Sequence, residues 1–233
     1  MQERPTRRYA EKIATLRAEA RRWGWARAWF ALLVRFMRVY AGIHLYRVNL
    51  RPLDRRFDPP ALPGEIRVGR VPPETLIKAA QDPELAMDPE FVRAALERGD
   101  IAFGALDRGR LVSYAWRTFS AAPDFHGLWV RVDRPYHYAY KAFTLPEYRG
   151  RHLHIAVSLL CDETFRSLGY LGEVGFSELS NYSSIAAADA LGRRRIGYAG
   201  YLKWFGHCIP FRTRSLAKIG FEFFKPEPRV RIA

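Results

Sequence analysis

The chain has 233 residues, 48% of them hydrophobic and 14% aromatic, and carries a formal charge of +14. That much apolar material over this length supports a full core and excludes a disordered chain. Two cysteines, Cys161 and Cys208, lie far apart and outside any CxxC spacing, which argues against a disulfide framework or a thiolate zinc site and for a reducing cytoplasm.

The charge is unevenly spread. Residues 1–64 hold fourteen Arg or Lys against five Asp or Glu, so nine of the net fourteen positive charges sit in this arm. An anionic partner is to be sought there first. The basic start is not followed by an unbroken apolar core and a small-residue cleavage site, so it does not read as a secretory signal. The longest apolar run of the arm, Ala28–Val34, is too short to span a bilayer. The expectation is a cytoplasmic protein, soluble or peripheral to a membrane.

Residues 7 to about 46 contain no proline and are rich in Ala, Arg, Leu and Glu, which predicts one or two long helices broken at Gly24 and Gly42. Within them Trp23, Trp25, Trp29, Phe30, Leu32, Leu33, Phe36, Met37 and Tyr40 interleave with Arg27, Arg35 and Arg38. Such a stripe suits docking on the main domain with the arginines facing water. That is the plainer reading; an anionic membrane surface is the alternative. Nucleic acid is disfavoured as a partner, because no readout motif accompanies the charge.

Pro52, Pro59, Pro60, Pro63, Pro72 and Pro73, with Gly64 and Gly69, mark a linker and a domain boundary near Gly64. Residues 1–64 then form a helical arm and linker, and 65–233 the main domain. Ile66–Val71 reads as a first strand, Glu74–Ala80 as a short helix, and Pro89–Arg98 as a second helix ending at Gly99. Ile101–Leu106 and Leu111–Phe119 form a hairpin about Asp107–Arg110, and Leu128–Val132 a further strand.

Tyr136–Leu145 is an extended segment that runs into the turn Pro146–Gly150. The apolar positions Leu153, Ile155, Val157, Leu159, Leu160 and Phe165 then suit a helix packed on one face. A strand feeding a helix through such a turn leaves the N–H groups of Arg149, Gly150, Arg151 and the next residues open to an anion, with two forked guanidiniums beside them. A solvated basic loop is the plainer alternative. Glu173–Leu179 reads as a strand, Asn181–Leu191 as a short helix, and Arg195–Phe205 as a long strand.

Two helices, a hairpin, a strand, a basic loop, a helix, a strand, a helix and a strand succeed one another in an order that resembles the GNAT acyltransferase superfamily. Leu145-Pro146-Glu147-Tyr148-Arg149-Gly150-Arg151 is similar to that family's strand-to-loop acyl-CoA motif. Asn181, Ser184, Leu191 and Gly192 are similar to its asparagine-led helix. The resemblance covers roughly residues 65–205.

It implies an α+β fold, with helices on a mixed, largely antiparallel sheet splayed between the strand ending at Leu145 and the strand from Glu173. The acyl donor would lie in the gap, its pantetheine on backbone groups of Phe143, Thr144 and Leu145. Its pyrophosphate would rest on Arg149, Gly150, Arg151, His152, Leu153 and His154, with Asn181 opposite. The reaction implied is direct attack by an amine or hydroxyl acceptor on acetyl-CoA. His152 and His154 stand where the family loop has Gly or Ala, which opens the donor to a longer acyl-CoA or an acidic acyl-carrier protein.

For the general base the residues offer Glu178 first and His137 second, each against a plain strand position. The family's thiolate-protonating tyrosine falls on Ala188, and Tyr182, Ser184, Tyr198 and Tyr201 remain as substitutes. His152 and His154, two apart, do not share a helix face, and no metal is expected. A non-catalytic binding module, attached by its arm to an anionic membrane or an acidic partner, is the alternative to an enzyme.

Overall fold

The computed structural model describes residues 5–54, 60–62, 64–124 and 127–226, and side chains from residue 14 onward. Residues 55–59 and 63 of the expected linker, with Pro59 and Pro63, lie outside the described residues.

The arm begins as α1 (Pro5–Trp23) and α2 (Trp25–Tyr40). Gly24, at φ 89°, breaks the two helices, and Gly42, at φ 65°, ends the pair, a backbone region that favours glycine. Both breaks match the sequence reading. Arg35 forks onto the Glu19 carboxylate and ties α2 back to α1.

The next segment departs from that reading. Ile43–Pro52, assigned from sequence partly to helix and partly to the linker, is a ten-residue strand, β1, inside the main sheet. β2 (Arg67–Arg70), α3 (Pro73–Ala79), α4 (Pro89–Glu97), β3 (Ile101–Asp107) and β4 (Arg110–Thr118) come next, close to expectation. Asp88 caps α4 by accepting the Glu90 N–H at 2.9 Å. Short strands β5 (Ala121–Pro123) and β6 (Trp129–Arg131) precede β7 (Tyr136–Thr144), α5 (Leu153–Ser167), β8 (Gly172–Glu178), α6 (Tyr182–Ala190) and β9 (Arg194–Trp204). β10 (His207–Arg212), α7 (Arg214–Ala217) and β11 (Glu222–Phe224) complete the described chain.

Eight strands form one sheet in the order β10-β9-β1-β8-β7-β4-β3-β2, and β11-β6-β5 form a second. Among the described residues of the large sheet, only β7 and β8 run parallel. Alternation along β1 separates its two faces. Tyr46 turns to an aromatic layer with Tyr138, Phe176, Tyr201 and Phe223, where Tyr138 stacks on Phe176 at 5.8 Å and 9°. α4 lies on the same side, its Phe91 edge-on to Trp116 at 5.4 Å. Arg47 and Arg51 turn to the opposite face, where α5 and α6 pack.

The boundary near Gly64 is therefore not a structural one. β1 pairs antiparallel with β8 from Tyr46↔Glu178 to Pro52↔Gly172, and with β9 from Ile43↔Leu202 to Leu50↔Arg194. Its polar positions, Arg47, Asn49 and Arg51, hid the strand because they resemble a solvated basic stretch. A chain starting at residue 65 leaves the facing edges of β8 and β9 unpaired, and soluble yield and far-UV circular dichroism should show aggregation. A chain starting at residue 42 should stay soluble and folded.

Candidate functional site

The parallel ladder between β7 and β8 covers three residue pairs, Tyr136↔Gly172, His137↔Glu173 and Tyr138↔Val174. Beyond it β7 pairs with β4 and β8 with β1, and a gap opens between them. A bulge assists the parting: Trp116 faces Tyr140 and Ala115 faces Ala142, leaving Lys141 unpaired at φ 40°. Bulges bend and twist the strand that carries them.

At the apex of the gap four adjacent strands each turn one polar side chain beneath α5. These are Arg117 of β4, His137 of β7, Glu173 of β8 and Arg51 of β1, all at most 1% exposed. Arg51 forks onto Asp162 of α5 through two 2.6 Å hydrogen bonds and lies 3.3 Å from Glu173. Arg117 Nε approaches Glu173 Oε2 at 2.6 Å, an ion pair off the axis of a good hydrogen bond. Arg193, in the turn after α6, reaches Glu173 Oε1. Its guanidinium lies on Gly175, where a Cβ would stand 3.1 Å from Nη1 and 3.6 Å from the Ala139 carbonyl of the opposite strand. Glycine there lets Arg193 cross the gap.

Burial pushes the Glu173 carboxyl up, but Arg117, Arg193 and Arg51 together outweigh it and hold it well below the ordinary 4.5. Burial raises Asp162 to about 7 against the pull of Arg51. Burial lowers His137 to about 4, and burial with Arg193 and Arg117 does the same to His154. Both imidazoles are neutral at pH 7. The Cys161 thiol, pushed by burial to about 12, is inert.

The side chains read from sequence as catalytic are not gathered in one place. His137 is a core residue, stacked on Phe165 at 3.7 Å, with neither ring nitrogen in a well-formed hydrogen bond. This corrects its reading as a base: the strand alternation was right, but the face is covered by α5. Glu178, at the open end of β8, accepts Arg38 Nη1 on both oxygens at 2.9 Å. Tyr182 donates its hydroxyl to the Arg27 carbonyl at 3.0 Å, tying α6 to the arm. Asn181 caps α6 by accepting the Ser184 N–H at 3.0 Å.

Apart from Asn181, the donor residues read from sequence lie at the end of β7, in the turn after it and at the start of α5. Leu145 N–H is taken by Val112 at 3.0 Å and the Phe143 carbonyl by Ser113 Oγ at 3.2 Å, so both point toward β4. The Thr144 carbonyl accepts Arg149 Nε at 3.3 Å. Arg149, Gly150, Arg151 and His152 are exposed, and Arg151 lies over the Tyr148 ring at 4.8 Å. His152, left-handed at φ 58°, leads into α5 without capping it by its side chain. The N–H groups of residues 150–154 find no acceptor among the described residues. Leu153 is buried, and His154 turns in toward Arg193.

A second concavity, a cavity of about 580 Å³, opens between the arm and the sheet. Trp23, Arg27 and Phe30 wall one side, Arg47 and Tyr182 the other, and Leu179 brings it beside Glu178. Arg47 is forked onto Asp189 of α6. Sequence reading missed Arg51, Arg117, Asp162 and Arg193, because nothing in local spacing tells a buried arginine from the many exposed ones.

No protein-family profile matches the sequence, and no curated protein matches it. Among solved structures, a Drosophila protein is similar at 15% identity and TM-score 0.51, over 70% of this chain and 52% of its own. A putative acetyltransferase of the GNAT family from Novosphingobium aromaticivorans is similar at 19% identity and TM-score 0.50, over 69% of this chain and 63% of its own. The match spans between half and two-thirds of the length of those chains. The fold is that of the GNAT acetyltransferases, with a mixed, mostly antiparallel open sheet flanked by helices.

Glu173→Gln leaves three guanidiniums facing a neutral amide, and denaturant unfolding should show a loss of about 3–5 kcal/mol. The pH dependence follows from the buried imidazoles. Unfolded, His137 and His154 take a proton near the ordinary 6.5; folded, only near 4, so acidification through that window removes stability. Asp162, at about 7 folded and 3.8 unfolded, works oppositely and offsets one of the two. Between pH 6.5 and 5 the stability should fall with a slope that steepens toward about 1.4 kcal/mol per unit, that of one net proton, at the acid end. His154→Leu should flatten that fall in urea midpoints.

Proposed function

We propose that the chain is an acyltransferase that moves an acyl group from a CoA or carrier-protein thioester to an amine or hydroxyl. The observation that carries this reading is the gap between β7 and β8, which narrows from the free N–H groups of residues 150–154 to an apex at Tyr138 and Val174. An anion is favoured at the start of a helix such as α5. The donor pyrophosphate lies there, between Arg149 and Arg151, and the pantetheine runs inward along Thr144 and the bulge.

The thioester end then meets Arg193, which fills the apex and favours a short or polar acyl group over one that continues inward. The acceptor's remaining body occupies the arm-lined cavity, and its nucleophile passes the Glu178 end of β8 to reach the thioester. The nucleophile attacks the thioester carbonyl, the C–S bond breaks, and the thiolate leaves. Glu178 is the base for the proton lost by the acceptor, once Arg38 yields it; the thiolate takes a proton from solvent. The strongly basic surface supports an acidic acyl-carrier protein as donor. The Arg193–Glu173 and Arg38–Glu178 pairs favour one other reading, a binding module that holds the donor without turnover.

Acetyl-CoA at about a hundred times its Kd should add about 2.7 kcal/mol and raise Tm by about 5–10 °C. Arg149→Ala with Arg151→Ala should abolish most of that shift, and palmitoyl-CoA should give less than acetyl-CoA. No shift with CoA, any acyl-CoA or an acylated carrier protein sinks the proposal. A shift without transfer to any acceptor selects the binding module.

A further inference from the structure

α2 docks by the face opposite to its aromatic one. Ala28, Ala31 and Val34 turn inward and are buried. Trp25, Trp29, Leu32, Leu33, Phe36 and Tyr40 turn outward; Trp25, Trp29 and Phe36 are each 57% exposed and Tyr40 75%. At 100° per residue these six fall within one stripe along the helix, without a charge among them. Small residues toward the core and tryptophans toward solvent invert the ordinary order of burial.

A second exposed apolar pair stands close to the end of the helix. Gly42 accepts the Lys203 N–H at 2.9 Å, which sets the end of α2 against the β9–β10 turn. There Trp204 and Phe205 stand out, Phe205 at 87% exposure. An apolar surface of this kind on one side of a chain marks an interaction face. Basic residues accompany it: Arg17, Arg21 and Arg22 of α1 are exposed and Lys203 directly precedes the turn, in a chain of charge +14.

Arg35 and Arg38, which also lie on α2, are engaged by Glu19 and Glu178 and hold the helix in this orientation. No described helix is long and apolar enough to cross a membrane. A helix with large apolar side chains on one face and basic residues beside it lies in the plane of an anionic lipid interface.

We infer that α2 and the Trp204–Phe205 turn form a docking surface for an anionic bilayer, into whose headgroup layer Trp25, Trp29, Phe36 and Phe205 insert while the arginines of α1 meet lipid phosphate. Vesicle binding reads no acyl transfer, so its outcome is independent of that reaction. An aqueous protein partner would have to present an equally long apolar groove ringed by acids; the lipid interface supplies both features without a specific shape.

The whole chain is sedimented with phosphatidylcholine vesicles and with vesicles in which phosphatidylglycerol makes up about a third of the lipid. Sedimentation with the anionic vesicles, reduced by salt, and quenching of tryptophan emission by brominated acyl chains are expected. Trp25→Ser/Trp29→Ser/Phe36→Ser alters only exposed side chains, and should keep its circular dichroism while weakening partitioning about tenfold or more. Arg17→Glu/Arg21→Glu should abolish the preference for the anionic vesicles. Equal sedimentation of the triple variant, or sedimentation without bromine quenching, overturns insertion. Absence of vesicle binding together with a dimer in analytical ultracentrifugation that the triple variant loses would assign the face to a second copy instead.

Discussion

Glu173 carries the contacts on which the sheet's shape depends. One carboxylate, buried where β7 and β8 begin to part, meets guanidiniums from β4, β1 and the turn after α6. Taking such charges out of water costs several kcal/mol per ion before any attraction returns it. An apolar apex of the same volume would cost less. What the ionic arrangement supplies is register: Arg51 meets both Glu173 and Asp162 only if β1 sits at its observed place beside β8 under α5.

The same cluster sets where the gap stops. Parallel pairing ends one residue beyond Glu173, and Arg193 closes the space above Gly175. Apart from Arg193, every charged group at the apex belongs to a strand or helix with its own backbone bonding, so the floor of the gap is rigid. Its mouth is not so constrained, since residues 150–154 keep their N–H groups free among the described residues. A rigid floor with an open, basic mouth suits a ligand that enters phosphate last and is measured by length.

Legibility in the sequence depended on the range of the signals. Strands and helices with local marks were readable: the Asp107–Arg110 hairpin turn, Asn181 before α6, Gly24 between α1 and α2. The loop from Arg149 to His154 stands out as a candidate place for an anion because turn chemistry and charge coincide there. β1 was not, since its charged positions are satisfied by partners more than a hundred residues away. His137 failed for a related reason: period-2 alternation assigns a side chain to a face, but which helix covers that face is decided elsewhere in the chain. The outward turn of the α2 aromatics defied the usual rule, because a hydrophobic pattern locates a stripe without saying what it touches.

β1 also fixes an order of events. It leaves the ribosome long before its partners, since its ladder begins with Pro52 on Gly172 and ends with Ile43 on Leu202. At about 5–20 residues per second, the interval before its first partner exists is about 6–24 seconds. Through that interval the nascent chain carries a strand with two open edges and, just ahead of it, a helix whose tryptophans have no place in the core. Whatever shelters that segment during synthesis acts before the sheet exists, so α2 and β1 meet their surroundings before the strands that pair with β1 are made.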